Sequence, residues 1–270
     1  MSEAKETGKV LAALWVAAGL LVFGAGAGWF WTAERTKAAV RAAVASAGAG
    51  SALGDLGVTG FPFRLTHEAA NVALPAPGGW RIGAARVVAT TLPLETHHWV
   101  MEEIEGLTLT GPGGAQWRID LDRPQASVSW TGRGLRRLSV IAQGARLEGP
   151  EPGPGVEIGA LSLQAVEDPA RPADLAISIE ASDIKGGPAD AIVLRGLLPG
   201  GQSLAKQGWS RWAAGGGAFD VRYGRITRAG RVADDLTGRI DGAAPWRLTG
   251  KAATVAFEGG VLVFEAAPSR

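Results

Sequence analysis

Two periods of apolar residues divide this chain. From Val10 to Thr32 they run on as VLAALWVAAGLLVFGAGAGWFWT, 23 residues without a charge. As a helix, with ~1.5 Å of rise per residue, this run extends about 34 Å, enough to cross a hydrocarbon layer of about 30 Å. Residues 33–47, AERTKAAVRAAVASA, are Ala-rich and predict that the helix continues into water as a stalk. Four glycines among residues 48–57 break it.

From Val58 the period becomes two. Trp117, Ile119 and Leu121 alternate with Arg118, Asp120 and Asp122. Ala126, Val128 and Trp130 alternate with Gln125, Ser127 and Ser129, and Leu175, Ile177 and Ile179 with Ala176, Ser178 and Glu180. Each reads as a strand with one apolar and one wet face, the pattern of an antiparallel sheet. Longer strands are predicted over 61–74, 80–94, 135–147, 156–166, 191–198, 218–226, 246–257 and 261–265. Turns fall at Pro77-Gly78-Gly79, at residues 111–114 and at Glu258-Gly259-Gly260, the last closing a hairpin. The predicted fold is therefore mainly β: an N-terminal transmembrane helix and stalk, then a large curved antiparallel sheet or a sandwich. One short helix is expected at residues 202–214.

The apolar run also fits a secretory signal, with Lys5 and Lys9 as its basic start and Ala25-Gly26-Ala27 as a cleavage site. Trp29, Phe30 and Trp31 extend it to spanning length and form an interfacial aromatic belt, which favours a retained anchor. Basic residues flank both ends. A long C-terminal domain translocates regardless of its charge, so the N-terminus is placed in the cytoplasm. The expected plan is a cytoplasmic leader (1–9), a transmembrane helix (10–32), a stalk and Gly-rich linker (33–57) and a β-rich periplasmic domain (58–270). Residues 151–155, EPGPG, mark a subdivision of that domain or the midpoint of one sheet. Gly24 and Gly28 form a small-xxx-small pair on the span.

Composition narrows the chemistry. A net charge of +1, with acids and bases interspersed, excludes a strongly polyanion-directed protein, and no nucleic-acid partner is expected. With no cysteine, disulfides, zinc thiolate sites and thiol nucleophiles are excluded. No G-x-S-x-G elbow, phosphate-binding loop or H-E-x-x-H helix occurs, so no catalytic, cofactor or metal residue is assigned and no enzyme is expected. The densest set of metal-ligand types is His97 and His98 with Glu95, Glu102 and Glu103. Adjacent strand residues point to opposite faces, so the set reads as a solvated strand end. Arg222, Arg225, Arg228 and Arg231 recur every third residue. With a bulge at Gly224, Arg222 and Arg225 would share a face, a candidate contact for an anionic surface, and Tyr223 and Ile226 would turn inward. The tryptophans of the β region suit a core or an apolar groove.

Gly60, Phe61, Pro62, Phe63, Arg64 and Leu65 read as a first strand receiving the stalk: Phe61, Phe63 and Leu65 on one face, Arg64 on the other, Pro62 at an edge. This stretch resembles the G-[FY]-P-F-R-[LF] segment of bacterial envelope proteins catalogued as domain of unknown function 2125. Those proteins resemble the chain in order over residues 10–245: a span, a helical stalk, this segment, then strands. A Trp-containing helix followed by Gly-Gly and a strand resembles residues 212–221, and a later strand and turn resembles residues 236–242. The resemblance brings no activity, cofactor or catalytic residue. It implies a non-enzymatic envelope protein, a scaffold or partner-binding module anchored in the inner membrane through Val10 to Thr32. The alternative is a lipid-binding or lipid-transfer protein with an apolar β-groove. The sequence leaves the oligomeric state open.

Overall fold

The uncharged run and the Ala-rich run after it form one helix, α1 (Ser2–Ser46). The computed structural model describes residues 2–76, 79–150, 155–203, 217–241, 246–258 and 261–266, with the side chains of α1 described from Phe23 onward. Residues 10–22 of the expected span therefore lie outside the described side chains. Among the described residues no helix is long and apolar enough to cross a membrane; the stretch from Phe23 onward carries Glu34, Arg35, Lys37 and Arg41.

The period-two region forms one antiparallel sheet. Strands β1 (Leu56–Thr59), β2 (Leu65–Pro75) and β3 (Arg81–Thr91) open it. Four long strands follow, each interrupted once. They are β4 (His98–Glu105) with β5 (Leu107–Thr110), β6 (Gln116–Asp122) with β7 (Gln125–Thr131), β8 (Gly134–Ala142) with β9 (Gly144–Glu148), and β10 (Val156–Ile158) with β11 (Ala160–Asp168). Then come β12 (Arg171–Ser182), β13 (Ala191–Leu198), β14 (Ala218–Arg228), β15 (Arg231–Ala233) and β16 (Thr237–Asp241). The hairpins end with β17 (Trp246–Thr249), β18 (Ala253–Glu258) and β19 (Val261–Ala266). Counting each interrupted strand as one, successive strands pair as hairpins, except that β14 pairs with both β15 and β16. Among the described residues β1 pairs only with β2 and β19 only with β18, so the meander is not closed through its first and last strands. The strands on either side of residues 151–155 belong to one sheet, because β10 pairs with β9 and β11 with β8. Residues 151–154 lie outside the described set.

A line of kinks crosses the sheet where the long strands are interrupted. It passes through Asn71, Gly106, Arg123, Gln143, Gly159 and Asp183. Asn71, Arg123 and Asp183 have φ of 49°, 47° and 53°, the left-handed region that Asn and Asp tolerate best. At each kink the apolar alternation slips by one residue. Leu138, Val140 and Ala142 precede Gln143, whereas Ala145 and Leu147 follow it. Registers absorb the slip: Ala142 faces Leu161, and Leu147 faces Val156. Ala69 and Val72, on either side of Asn71, line the same cavity. The sheet thus bends without exchanging its apolar and polar faces there.

The polar face is tied by cross-strand ion pairs. Arg86 of β3 reaches Glu68 of β2 at 2.6 Å and also Glu103 of β4, while Arg195 of β13 reaches Glu180 of β12 at 2.7 Å. Such exposed pairs contribute little individually. The apolar face carries the core and is covered in two ways. Over β2, β3, β4 and β7 it is covered by α1, whose Trp29, Ala33, Thr36, Val40 and Val44 recur at helical spacing. From β13 to β19 the sheet rolls on itself and buries Ile226, Leu236, Leu248 and Val255.

Several expectations change. The predicted stalk is helical but lies along the sheet, because its stripe of Ala, Thr and Val meets Leu65, His67 and Ala89 rather than water. The predicted first strand at residues 60–65 is a turn. Gly60, at φ 97°, allows the chain to reverse, and the Arg64 N–H donates to the Gly60 carbonyl at 3.1 Å. β2 begins only at Leu65. The long segments 135–147, 156–166 and 246–257 are each split in two. Of the predicted helix at 202–214, residues 201–203 form a helical turn and residues 204–214 lie outside the described set.

Candidate functional site

Among the described residues, several unburied apolar side chains gather at one end of the sheet, where α1 arrives. Helix and sheet are joined there by specific bonds. The Trp29 indole N–H donates to the Arg64 carbonyl at 2.9 Å, and its ring meets Phe61 edge to face at 5.6 Å. Two turns further on, Thr36 Oγ1 lies 2.8 Å from His67 Nε2. The Thr36 hydroxyl is also within 3.0 Å of the Thr32 and Ala33 carbonyls. A hydroxyl has one proton to give, so the arrangement is satisfied when Thr36 donates to the helix backbone and His67 Nε2–H donates to Thr36. The His67 ring also lines an apolar cavity of about 160 Å³, and its Nδ1 is buried without a hydrogen bond of normal geometry. Burial holds the His67 imidazole below its ordinary value. Its ring packs on Trp99 at 4.5 Å.

Beyond Trp29 the two turns at this end of the sheet, residues 61–63 and 92–94, stand out around the helix. Phe63 is 83% and Leu94 97% exposed, Phe30 64% and Trp31 63%. Between them runs a groove of about 690 Å³, with Gly24 and Gly28 on the helix side, Phe63, Leu92 and Leu94 on the loop side, and Trp31 at its rim. At Gly24 and Gly28 a Cβ would meet nothing within 4 Å, so the small residues keep this wall of the groove low. Basic groups stand next to the aromatics: the Arg35 guanidinium lies 5.1 Å from the Trp31 ring centre, and Arg64 follows Phe63 and reaches Glu102 at 3.7 Å. This rim is amphipathic, apolar at its tip and charged behind it.

The residues singled out from the sequence divide between this rim and the rest. Gly60, Phe61, Pro62, Phe63 and Arg64 are all in it, and Phe61–Pro62 is a cis peptide. The arginine row lies at the rolled end. The bulge falls at Arg222, because the register slips between Arg195 and Gly196. Tyr223 then pairs with Arg195 on the polar face, while Ile226 turns inward. Arg225 binds Asp234 at 2.6 Å and holds that carboxyl down to about 2. Asp234 in turn accepts from Tyr223 and pushes the phenol up. Arg228 donates to the Leu262 carbonyl at 2.5 Å, so it ties β14 to β19. Arg222 and Arg231 are exposed.

His97, His98, Glu95, Glu102 and Glu103 are exposed, and no group of three His, Asp or Glu among the described residues is placed to hold a metal ion. A second cleft, of about 510 Å³, follows the kink line past Asp120, Asp122, Arg146, Glu157, Asp183 and Lys185. Its acids and bases are mixed, and it presents no arranged pair for chemistry. The exposed loop at 92–94 was not singled out from the sequence; Leu-Pro-Leu at the end of a long apolar segment is its one signal.

Comparison with known proteins gives one match. A family model described as "Uncharacterized protein conserved in bacteria (DUF2125)" matches residues 29–258. No curated protein and no solved structure matches the chain.

Proposed function

The chain belongs to the bacterial family DUF2125, and on that premise we propose that it is a non-enzymatic envelope protein: an open β-sheet held at the inner membrane by α1, with the β domain in the periplasm. In this role it acts as a scaffold or partner-binding module. The single observation that supports this reading is the continuity of α1. The helix that contains the uncharged run of residues 10–32 is also packed and hydrogen-bonded into the sheet through Trp29, Thr36 and Val40. A chain built this way carries its domain wherever the run is inserted. The motifs of hydrolases, phosphate-binding enzymes and zinc peptidases are missing from the sequence, which favours placement or binding over catalysis.

Cell fractionation tests the anchor. The full chain is expected in the membrane pellet, resistant to alkaline carbonate and released by detergent; recovery in the soluble fraction would overturn it. Protease added to spheroplasts should degrade the β domain, whereas protection would reverse the orientation. Crosslinking in intact cells should capture an envelope protein on the β domain, and its failure to do so would count against the scaffold.

A second reading, lipid binding, is favoured by one feature. Between the part covered by α1 and the rolled end, the apolar face continues through Val140, Leu161 and Leu163, which are half-buried. A one-sided apolar sheet of this kind suits an acyl chain. Native mass spectrometry of the detergent-purified chain is expected to retain lipid if this reading holds; a lipid-free spectrum would eliminate it.

A further inference from the structure

We propose that the turns at residues 61–63 and 92–94, together with Trp31, form an apolar foot that enters the lipid interface beside α1. The β domain is then held on the bilayer at three points rather than carried on a single tether. The proposal rests on the membrane-anchored reading and adds a contact made by the β domain itself.

Four observations select a lipid bilayer as the occupant. First, the side chains that would enter are exposed and large: Phe63, Leu94, Trp31 and Phe30. They belong to separate elements, and the fold brings them together at one end. An apolar patch of this kind on a folded chain marks an interaction site. Second, α1 docks at Trp29 onto the Arg64–Leu65 end of β2, at Thr36 onto His67, and at Val40 and Val44 farther along the sheet. Followed toward its N-terminus, the helix therefore leaves the sheet at the rim and continues into the uncharged run. A bilayer that takes up that run meets this end of the sheet and no other.

Third, the polarity changes in the order a membrane surface requires. Trp and Phe stand at the tip, and Arg35, Lys37 and Arg64 lie within a few residues behind them. Aromatic side chains favour the level of the lipid carbonyls, and cations favour the phosphates above. The nearby acids Glu34 and Glu102 are paired with Lys37 at 3.1 Å and Arg64 at 3.7 Å, so they do not oppose an anionic surface; Glu95 remains at the groove wall. Fourth, the tips are not structural. Phe61 braces its turn against Trp29 and Phe30, whereas Phe63 and Leu94 project and neither belongs to a core cluster. Their apolar character has no role in the folded chain taken alone.

Because the chain has no cysteine, single cysteines report each point cleanly. The full chain carrying Phe63→Cys, Leu94→Cys, Leu20→Cys in the uncharged run or Gln116→Cys at the opposite end of the sheet is labelled with an environment-sensitive nitrobenzoxadiazole. Each is reconstituted in phosphatidylcholine–phosphatidylglycerol vesicles with and without a lipid bearing a nitroxide on its acyl chain. The expected result is blue-shifted emission and quenching by the nitroxide lipid at positions 20, 63 and 94, several times stronger than at 116. Quenching at 20 with positions 63 and 94 as weak as 116 would leave the anchor standing and overturn the foot. Absence of lipid quenching at all positions would overturn both. Labels at 63 and 94 shielded from nitroxide lipid and from aqueous iodide alike would assign the rim to a protein or a second copy, and that also overturns the proposal. Positions 63 and 94 are exposed, so their variants are expected to fold as the parent chain does.

Discussion

The apolar face of one sheet is covered by two different devices at its two ends. Over β2, β3, β4 and β7 the cover is a separate element, α1, and the fit is loose enough to leave a cavity of about 160 Å³ and a histidine nitrogen without a hydrogen bond of normal geometry. From β13 to β19 the cover is the sheet itself, and Leu236, Leu248 and Val255 are fully buried. The difference is one of cooperativity. A helix can leave a sheet while the sheet's own strands keep their packing, whereas opening the roll exposes one core shared by every strand from β13 to β19. The N-terminal cover is therefore the place for local opening, and the C-terminal cover sets the stability of the sheet.

Trp29 is where this contrast is most easily broken. Trp29→Ala removes a buried ring and the hydrogen bond to Arg64, and should cost about 3–5 kcal/mol of helix docking. Hydrogen exchange would report it as lost protection over residues 29–44 with β17–β19 unchanged; protection lost equally in both regions would mean that the two covers are one cooperative unit. Leu248→Ala is the converse. It empties the centre of the roll and should cost about 2–5 kcal/mol, read as a lower midpoint of global unfolding. An α1 that undocks in that variant before the strands open would contradict the assignment of stability to the roll.

The two regions also differ in how far they could be read from the sequence. The hairpins of the roll follow from alternation and turn residues, and Glu258-Gly259-Gly260 joins strands that do pair, Glu258 facing Val261. The kinks were present as slips in alternation, between Ala142 and Ala145 for example, but a lone glycine such as Gly144, with no cluster of turn residues around it, leaves two out-of-phase segments looking like one long strand. The docking stripe of α1 was hidden for a different reason. Ala33 and Thr36 are small and scarcely apolar, so their burial depends on a partner sheet that local pattern does not contain. Phe61, Phe63 and Leu65 alternate as a strand does, yet they lie in and beside a turn, because Gly60 and Pro62 fix the backbone there. Alternation alone does not distinguish side chains facing a core from side chains projecting off the end of a sheet.

The hydrogen bond between α1 and β2 sharpens the contrast with a smaller effect. Thr36→Val keeps the shape but leaves the His67 Nε2–H without an acceptor in a buried site, at a cost of about 1–3 kcal/mol. Thr36→Ser restores the acceptor and should recover most of the loss. If Thr36→Val and Thr36→Ser dock equally well by exchange over residues 29–44, the hydroxyl contributes nothing and packing alone holds the helix.

Acid distinguishes the two covers with the smallest perturbation. The groups that line the cavity at His67 are Val40, Val44, Leu53, Leu56, Ala69, Val87, Ala89 and Trp99, none of them charged. Burial disfavours a cation there and lowers the pKa from 6.5, and the hydrogen bond to the Leu65 backbone offsets this only in part. The sign follows from linkage. Above pH 6.5 the imidazole is neutral whether α1 is docked or not, so docking is independent of this group. Below pH 6.5 the undocked histidine takes up a proton that the docked one refuses, and docking weakens progressively until the lowered pKa is reached. The roll contains no buried titratable side chain among the described residues, so acidification through this window should loosen residues 29–44 and leave β17–β19 protected. His67→Gln, neutral at every pH, should abolish the dependence. Persistence of acid-induced loosening in that variant would move its origin to the exposed charges, and His67 would then be only a packed ring under the helix.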